Sequence, residues 1–264
     1  MCLILFAYNH LEQYKLVLIT NRDEYHHRKA KQADFWLEQP SIFGGIDCVA
    51  GGSWLSVDKA GRLAAVTNVR KPPFGQTAKH SRGDLVKDFL STNLPASDYL
   101  AELKSNDGDF GLFNLLLFDD SGLWHYSSDT HQAQLIQKGI HGVSNATLNT
   151  PWPKLKSGCE CLRQELNSDE LNTENLLNIL QSQQKPNYSE LPNTGVSHEF
   201  EQLLSPIFIR NNEYGTRCST LITIDQHNTL IFHELSYNPE GAIMTKVLQQ
   251  IKIDSQPPYA RSTL

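Results

Sequence analysis

The first chemistry in the chain is offered by Cys2, a thiol one position from the start. Removal of an initiator Met before a small residue would leave that cysteine at the N-terminus, its α-amino group beside its own thiol. An α-amine titrates at about pH 8, close enough to neutrality to serve as base toward the thiol, and a neighbouring Arg favours the thiolate. Asn21-Arg22-Asp23-Glu24 supplies such an Arg. The runs Cys2 to Tyr8 and Leu16 to Thr20 are short, aliphatic and β-branched, with the polar Asn9 to Gln13 between them. Paired antiparallel, they carry Cys2 to the Arg22-Asp23-Glu24 end. The same residues also fit a plainer reading, in which Cys2 opens a buried strand.

Further candidates sit at the ends of other apolar runs. Leu63 to Val69 closes on Asn68 and Arg70 ahead of Pro72-Pro73. An amide beside a guanidinium holds a carbonyl oxygen or carboxylate in fixed geometry; a strand-ending Asn beside a solvated Arg is the alternative. Asn145, where Gly139 to Ser144 passes from strand to loop, is a second candidate oxyanion donor, and Arg217 stands at the entrance of the run Cys218 to Ile224. His26-His27 invites a metal or haem reading, set against exposed histidines in a polar loop. Cys159-Glu160-Cys161 is too close and too isolated for a zinc site. Gly44-Gly45 and Gly51-Gly52 read as turns and lack the spacing of a phosphate loop.

These groups need strands and helices to place them. Ser81 caps a helix with Asp84 at the capping-box position, and Leu85, Val86, Phe89 and Leu90 share its face. A second helix is expected from Ala96 to Ser105, and others over Pro153 to Leu166 and Glu174 to Gln181. Hairpins join Phe113 to Phe118 with Leu123 to Ser127, and Leu221 to Ile224 with Leu230 to Leu235. His26 to Lys31 is a polar, basic stretch. A last helix is expected from Asn238-Pro239-Glu240, with Ile243, Val247, Leu248 and Ile251 on one face, and residues from 255 read as a peripheral tail. Hairpins rather than single crossover helices connect the strands. That order predicts an α+β fold, two mainly antiparallel sheets between helical layers, in one domain over 1–264.

Composition sets the bounds. The 264 residues are 39% hydrophobic and 20% charged, enough for a large core. Five scattered cysteines favour a reducing, cytoplasmic setting, and no run approaches the roughly 20 apolar residues of a membrane span. A net charge of -6 disfavours nucleic acid as a partner and leaves room for a local positive pocket.

Cys2, Asn21-Arg22-Asp23-Glu24, Gly51-Gly52-Ser53-Trp54, Thr67-Asn68, Ser81-Arg82-Gly83, Val143-Ser144-Asn145, Trp152-Pro153-Lys154 and Gly215-Thr216-Arg217 spread in order over nearly the whole chain. Together they resemble the NRDE family, whose eukaryotic members are the transport and Golgi organisation 2 proteins. The resemblance implies a four-layer αββα sandwich like that of N-terminal-nucleophile hydrolases and, more distantly, of the choloylglycine and penicillin V acylases. It would make Cys2 the nucleophile and, through its α-amine, the base. Arg22 and Asp23 would orient and polarise it, Asn68 or Asn145 would donate to the oxyanion, Arg217 would support the site electrostatically, and water would release the acyl-enzyme.

For the eukaryotic members the resemblance implies haem trafficking and a link to lipid or acyl-coenzyme A. A haem carrier would draw propionate donors from Arg22, Arg70, Arg82, Lys154 and Arg217, with Asn21, Glu24 and Trp54 in the pocket and Cys2, His26 or His27 as axial candidates. The leading expectation is therefore a cytoplasmic carrier of a hydrophobic anionic metabolite, haem before acyl-coenzyme A or lipid. It would need no resident cofactor or metal, touch membranes at most transiently and deliver to acceptor haemoproteins. The alternative is an amidohydrolase acting through Cys2 on a linear, non-peptide amide.

Overall fold

A computed structural model describes residues 2–75, 78–168 and 170–254, with the backbone alone for Cys2. Met1, the Cys2 side chain with its expected role as nucleophile, and the expected tail at 255–264 lie outside the described residues.

Thirteen strands and five α-helices are described: β1 (Cys2–Leu11), β2 (Tyr14–Tyr25), β3 (Ala30–Phe35), β4 (Ile42–Asp47), β5 (Leu55–Asp58), β6 (Leu63–Asn68), α1 (Arg82–Ser91), α2 (Ala96–Leu103), β7 (Phe113–Asp119), β8 (Gly122–Ser127), β9 (Gln132–Leu135), β10 (Gly139–Val143), α3 (Pro153–Glu165), α4 (Thr173–Ile179), α5 (His198–Leu203), β11 (Tyr214–Asp225), β12 (Thr229–Tyr237) and β13 (Ile243–Lys252). They form a six-stranded sheet in the order β10-β1-β2-β11-β12-β13 and a seven-stranded sheet in the order β3-β4-β5-β6-β7-β8-β9. Every strand pair within them is antiparallel.

Strand alternation builds the layers. Ile4, Phe6, Leu16 and Leu18 of the first sheet meet Phe43, Leu63, Ala65 and Leu116 of the second, a core between the sheets. Their sequence neighbours Leu3, Leu5, Val17 and Ile19 point the other way, onto Leu155, Leu162, Leu176 and Leu177 of α3 and α4. Ala64, Val66, Leu115 and Leu117 turn outward from the second sheet under Leu85, Val86 and Phe89 of α1 and Leu100 of α2. The expected αββα order is therefore present as three stacked apolar layers. A fully buried side chain such as Phe6 contributes about 2 to 3 kcal/mol of transfer free energy to the middle one.

Helix α1 starts as its sequence dictates, with the Ser81 hydroxyl accepting from Gly83 N–H and the Asp84 carboxylate accepting from Ser81 N–H. The expected final helix is corrected. Residues 243–252 form β13, in register with β12 from Thr229↔Lys252 to Tyr237↔Ile243. Asn238-Pro239-Glu240-Gly241 is a turn rather than a helix start: Gly241 adopts φ +79° and donates to the Asn238 carbonyl at 2.9 Å, and the Asn238 side chain accepts from Ala242 N–H. The exposed edge of β12 needed hydrogen-bond partners, and that demand outweighed a helical spacing of apolar residues. The basic stretch after His27 likewise contains β3, which buries Ala33 alone among its residues.

Candidate functional site

The register at one end of the six-stranded sheet puts Cys2 opposite Arg22 and Arg22 opposite Cys218. Arg22 occupies the same face as Leu16 and Leu18, between the sheets, where it is 5% exposed. A buried guanidinium needs a counter-charge, and Asp47 at the end of β4 provides it. Asp47 Oδ2 accepts from Arg22 Nη2 at 3.1 Å and from Arg28 Nε at 2.6 Å, and Oδ1 accepts from the N–H groups of Val49 and Ala50. Burial alone would raise this carboxyl, but the donated hydrogen bonds outweigh it and hold Asp47 below the usual carboxylate range. The Trp54 ring covers the Arg22 guanidinium, 4.3 Å from centroid to Cζ. Gly45 is what admits that ring: a Cβ there would lie 2.2 Å from it.

Around this pair lies a polar cleft of about 260 Å³. Four stretches far apart in sequence line it: Arg22 to Glu24, Ser53-Trp54, Thr67-Asn68 and Ser81 to Gly83. Gly52 and Gly83 let the second and fourth meet, since a Cβ on Gly52 would lie 2.3 Å from the Gly83 carbonyl carbon, and Ser53 N–H donates to Gly83 O at 3.1 Å. Of the glycine pairs expected as turns, Gly51 does sit in one at φ +79°, while Gly44, Gly45 and Gly52 serve close approach. Asn68 is half-buried, lines the cleft, and its side-chain amide makes no hydrogen bond among the described residues. Arg28, His80 and Arg82 complete the wall.

Behind the strand, on the helical side, Asp23 is fully buried. Its Oδ1 accepts from Thr216 Oγ1 at 2.7 Å and its carbonyl from the Tyr214 hydroxyl at 2.9 Å. Burial pushes its carboxyl upward against the field of Lys154 and the Thr216 hydrogen bond. Thr216 reaches Asp23 because β11 carries a bulge: Cys218 pairs with Arg22 and Thr216 with Asp23, which leaves Arg217 as the extra residue. Arg217 donates to the carbonyls of Tyr25 at 2.9 Å and Arg28 at 3.1 Å, and so braces the β2–β3 turn.

The residues singled out by sequence thus divide. Arg22, Glu24, Trp54, Asn68 and Arg82 line one cleft beside the Cys2 backbone, while the Asp23 carboxyl lies on the opposite, helical face of the same strand. Asn21 turns to the helices, where its amide donates to the carbonyls of Leu180 and Ile207. Lys154 donates to Leu204 O beneath Asp23, and Asn145 donates to the Asn68 carbonyl rather than lining the cleft. Arg70 pairs with Glu201 beyond Asn145. His26 bonds Asn211 O and His27 packs on Tyr25, both on the turn after β2, outside the cleft lining. Sequence reasoning missed Asp47, Arg28, Ser53 and His80. Asp47 closes the run Ile42 to Asp47, the same strand-end position that marked Asn68, and that signal could have found it.

The family profile described as Transport and Golgi organisation 2 matches residues 1–239. The Transport and Golgi organization protein 2 homolog of Bos taurus is 30% identical over 262 residues, covering 89% of this chain and 93% of that protein. Among solved structures, the Caenorhabditis elegans N-acylethanolamine-hydrolyzing acid amidase ortholog aligns with a TM-score of 0.45 at 10% identity, over 84% of this chain and 92% of its own. A mutant conjugated bile acid hydrolase from Clostridium perfringens aligns with a TM-score of 0.45 at 7% identity, over 98% and 94%.

Proposed function

The chain belongs to the Transport and Golgi organisation 2 family, and we propose that its cleft holds the anionic head of an amphipathic metabolite that the protein carries, haem before an acyl-coenzyme A. The observation that carries this reading is the meeting of Arg28, Arg82 and His80 on one small polar cleft floored by Trp54. Arg22 and Arg28 both bond Asp47, but Arg28 does so through Nε and keeps a side chain 32% exposed, and Arg82, which donates to the Leu112 carbonyl, is half-buried. A space of about 260 Å³ suits a carboxylate or phosphate better than a macrocycle, so the apolar body lies outside this cleft. Titration with haem is expected to give a saturable absorption change, weakened about tenfold to a hundredfold in the Arg28→Ala, Arg82→Ala double variant. No saturable change in the wild type, or equal binding by the double variant, defeats the proposal.

A second reading is favoured by a different observation. Cys2 pairs directly with Arg22, and the Asn68 amide has no hydrogen-bond partner among the described residues where it lines the cleft. In an amidohydrolase the Cys2 thiolate would attack the amide carbonyl and form a C–S bond, with Asn68 donating to the oxyanion. The C–N bond would break as the amine left with a proton, and water would hydrolyse the thioester. Turnover of a panel of linear amides should disappear in Cys2→Ala and fall about a hundredfold in Asn68→Ala. Full turnover by Cys2→Ala would eliminate this mechanism.

A further inference from the structure

On the far side of Asn68 a second cleft, of about 680 Å³, opens between the segment 69–72 after β6 and the loop 192–195. One ridge divides it from the first: the Asn145 amide donates to the Asn68 carbonyl at 2.9 Å, and Arg70 N–H donates to the Asn145 carbonyl at 2.7 Å. Its charges are matched within its own walls. Arg70 Nη2 meets Glu201 Oε2 at 2.7 Å, the two side chains 6% and 2% exposed, and Lys71 Nζ meets Asp129 Oδ1 at 2.7 Å at the rim. Glu201 also accepts from the N–H and hydroxyl of Thr194, which ties the loop 192–195 to the same carboxylate. The Arg70 guanidinium lies 4.9 Å from the centroid of the Trp152 ring.

A buried ion pair is a poor way to gain stability, because desolvation consumes most of the attraction. What this one achieves is geometric. It fixes Trp152 on one wall and the loop 192–195 on the other, with Pro72 and Ala146 also lining the slot. A charged group entering this slot meets cations and anions already paired with each other. A flat, uncharged ring meets an aromatic surface held still in advance, and stacking on it costs little ordering.

We infer that the second cleft receives a flat, uncharged ring system of the same ligand whose anionic head occupies the first, so that the ligand straddles the Asn68–Asn145 ridge. This rests on the head-group reading above. Two compounds separate the two claims: butyrate, a head alone, and pyrene-1-butyrate, the same head bearing a flat ring. Wild type binds pyrenebutyrate, read by pyrene fluorescence, about tenfold more tightly than butyrate, read by ligand-observed NMR. Trp152→Ala removes that advantage and leaves butyrate binding unchanged. Asn193→Trp, an exposed loop substitution that fills the slot without touching the core, does the same and decides the matter if Trp152→Ala fails to fold. An advantage that survives Asn193→Trp overturns the inference while the head-group reading stands, and so does a wild type that binds both compounds equally. A wild type that binds neither compound overturns both.

Discussion

Asp47 holds two guanidinium groups and two backbone N–H groups at once, and through them it joins the two sheets at the cleft. Replacing it with Asn keeps the shape and removes the charge that Arg22, 5% exposed, depends on. Unfolding in urea at pH 7 should show Asp47→Asn less stable by about 3 kcal/mol. The sign with pH follows from the depressed carboxyl. Its contribution is present above the unfolded value of about 3.9 and is lost as pH falls through the lower folded one, so the gap between wild type and variant should shrink below about pH 4. A gap independent of pH would mean that Asp47 acts through packing alone. Arg22, Asp23 and Asn68 were legible in the sequence because each ends or flanks an apolar run, although β2 itself continues past the first two to Tyr25. Arg28 and His80 were not, since each draws its meaning from a partner on another element: Arg28 from Asp47, and His80 from the cleft that β2, β4 and β6 enclose with it.

Among the elements, β13 shows how far periodicity alone can mislead. Ile243, Val247, Leu248 and Ile251 fit a helix face, yet as a strand only Ile251 is buried, at 5%, while Leu248 is 69% exposed. The two geometries make opposite predictions for one residue. Leu248→Lys should change the unfolding free energy by no more than about 0.5 kcal/mol, whereas Ile251→Lys should cost several kcal/mol in the same denaturant series. A large loss for Leu248→Lys would restore the helix. What was missing at the sequence level was the neighbour, because the strand is specified by the unpaired edge of β12 rather than by its own side chains. Helix α1 is the contrary case. Its cap, capping box and apolar face all lie within ten residues, and all three were readable.

At the scale of the molecule, one end of the space between the sheets is polar. Asn114, Thr67 and His125 meet there: Asn114 Nδ2 donates to Thr67 Oγ1, and His125 Nε2 lies 3.2 Å from Asn114 Oδ1. Burial pulls the His125 pKa down to about 4. A histidine depressed in the fold binds fewer protons there than in the unfolded chain, so stability falls as pH drops from about 6.5 to about 4 and levels off below. His125→Gln should therefore lose roughly 2 to 3 kcal/mol less than wild type when unfolding is compared at pH 7 and pH 4. Equal losses would place the acid sensitivity elsewhere. The layered architecture was legible because strand alternation and helix faces repeat along the chain, whereas the pairing of its polar end required residues 47 positions apart to meet. No helix among the described residues is long and apolar enough to cross a membrane. The bulge at Arg217 bears on how the chain can vary in length. Between Cys218 and Ile224 the ladder of β11 is continuous, and gaining or losing one residue there would exchange its two faces. At position 217 it would not: with that residue gone, Thr216 would still oppose Asp23 and Cys218 would still oppose Arg22. The strand therefore carries its spare link beside the cleft, where a change of length costs a brace on one turn and leaves every other side chain on its own face.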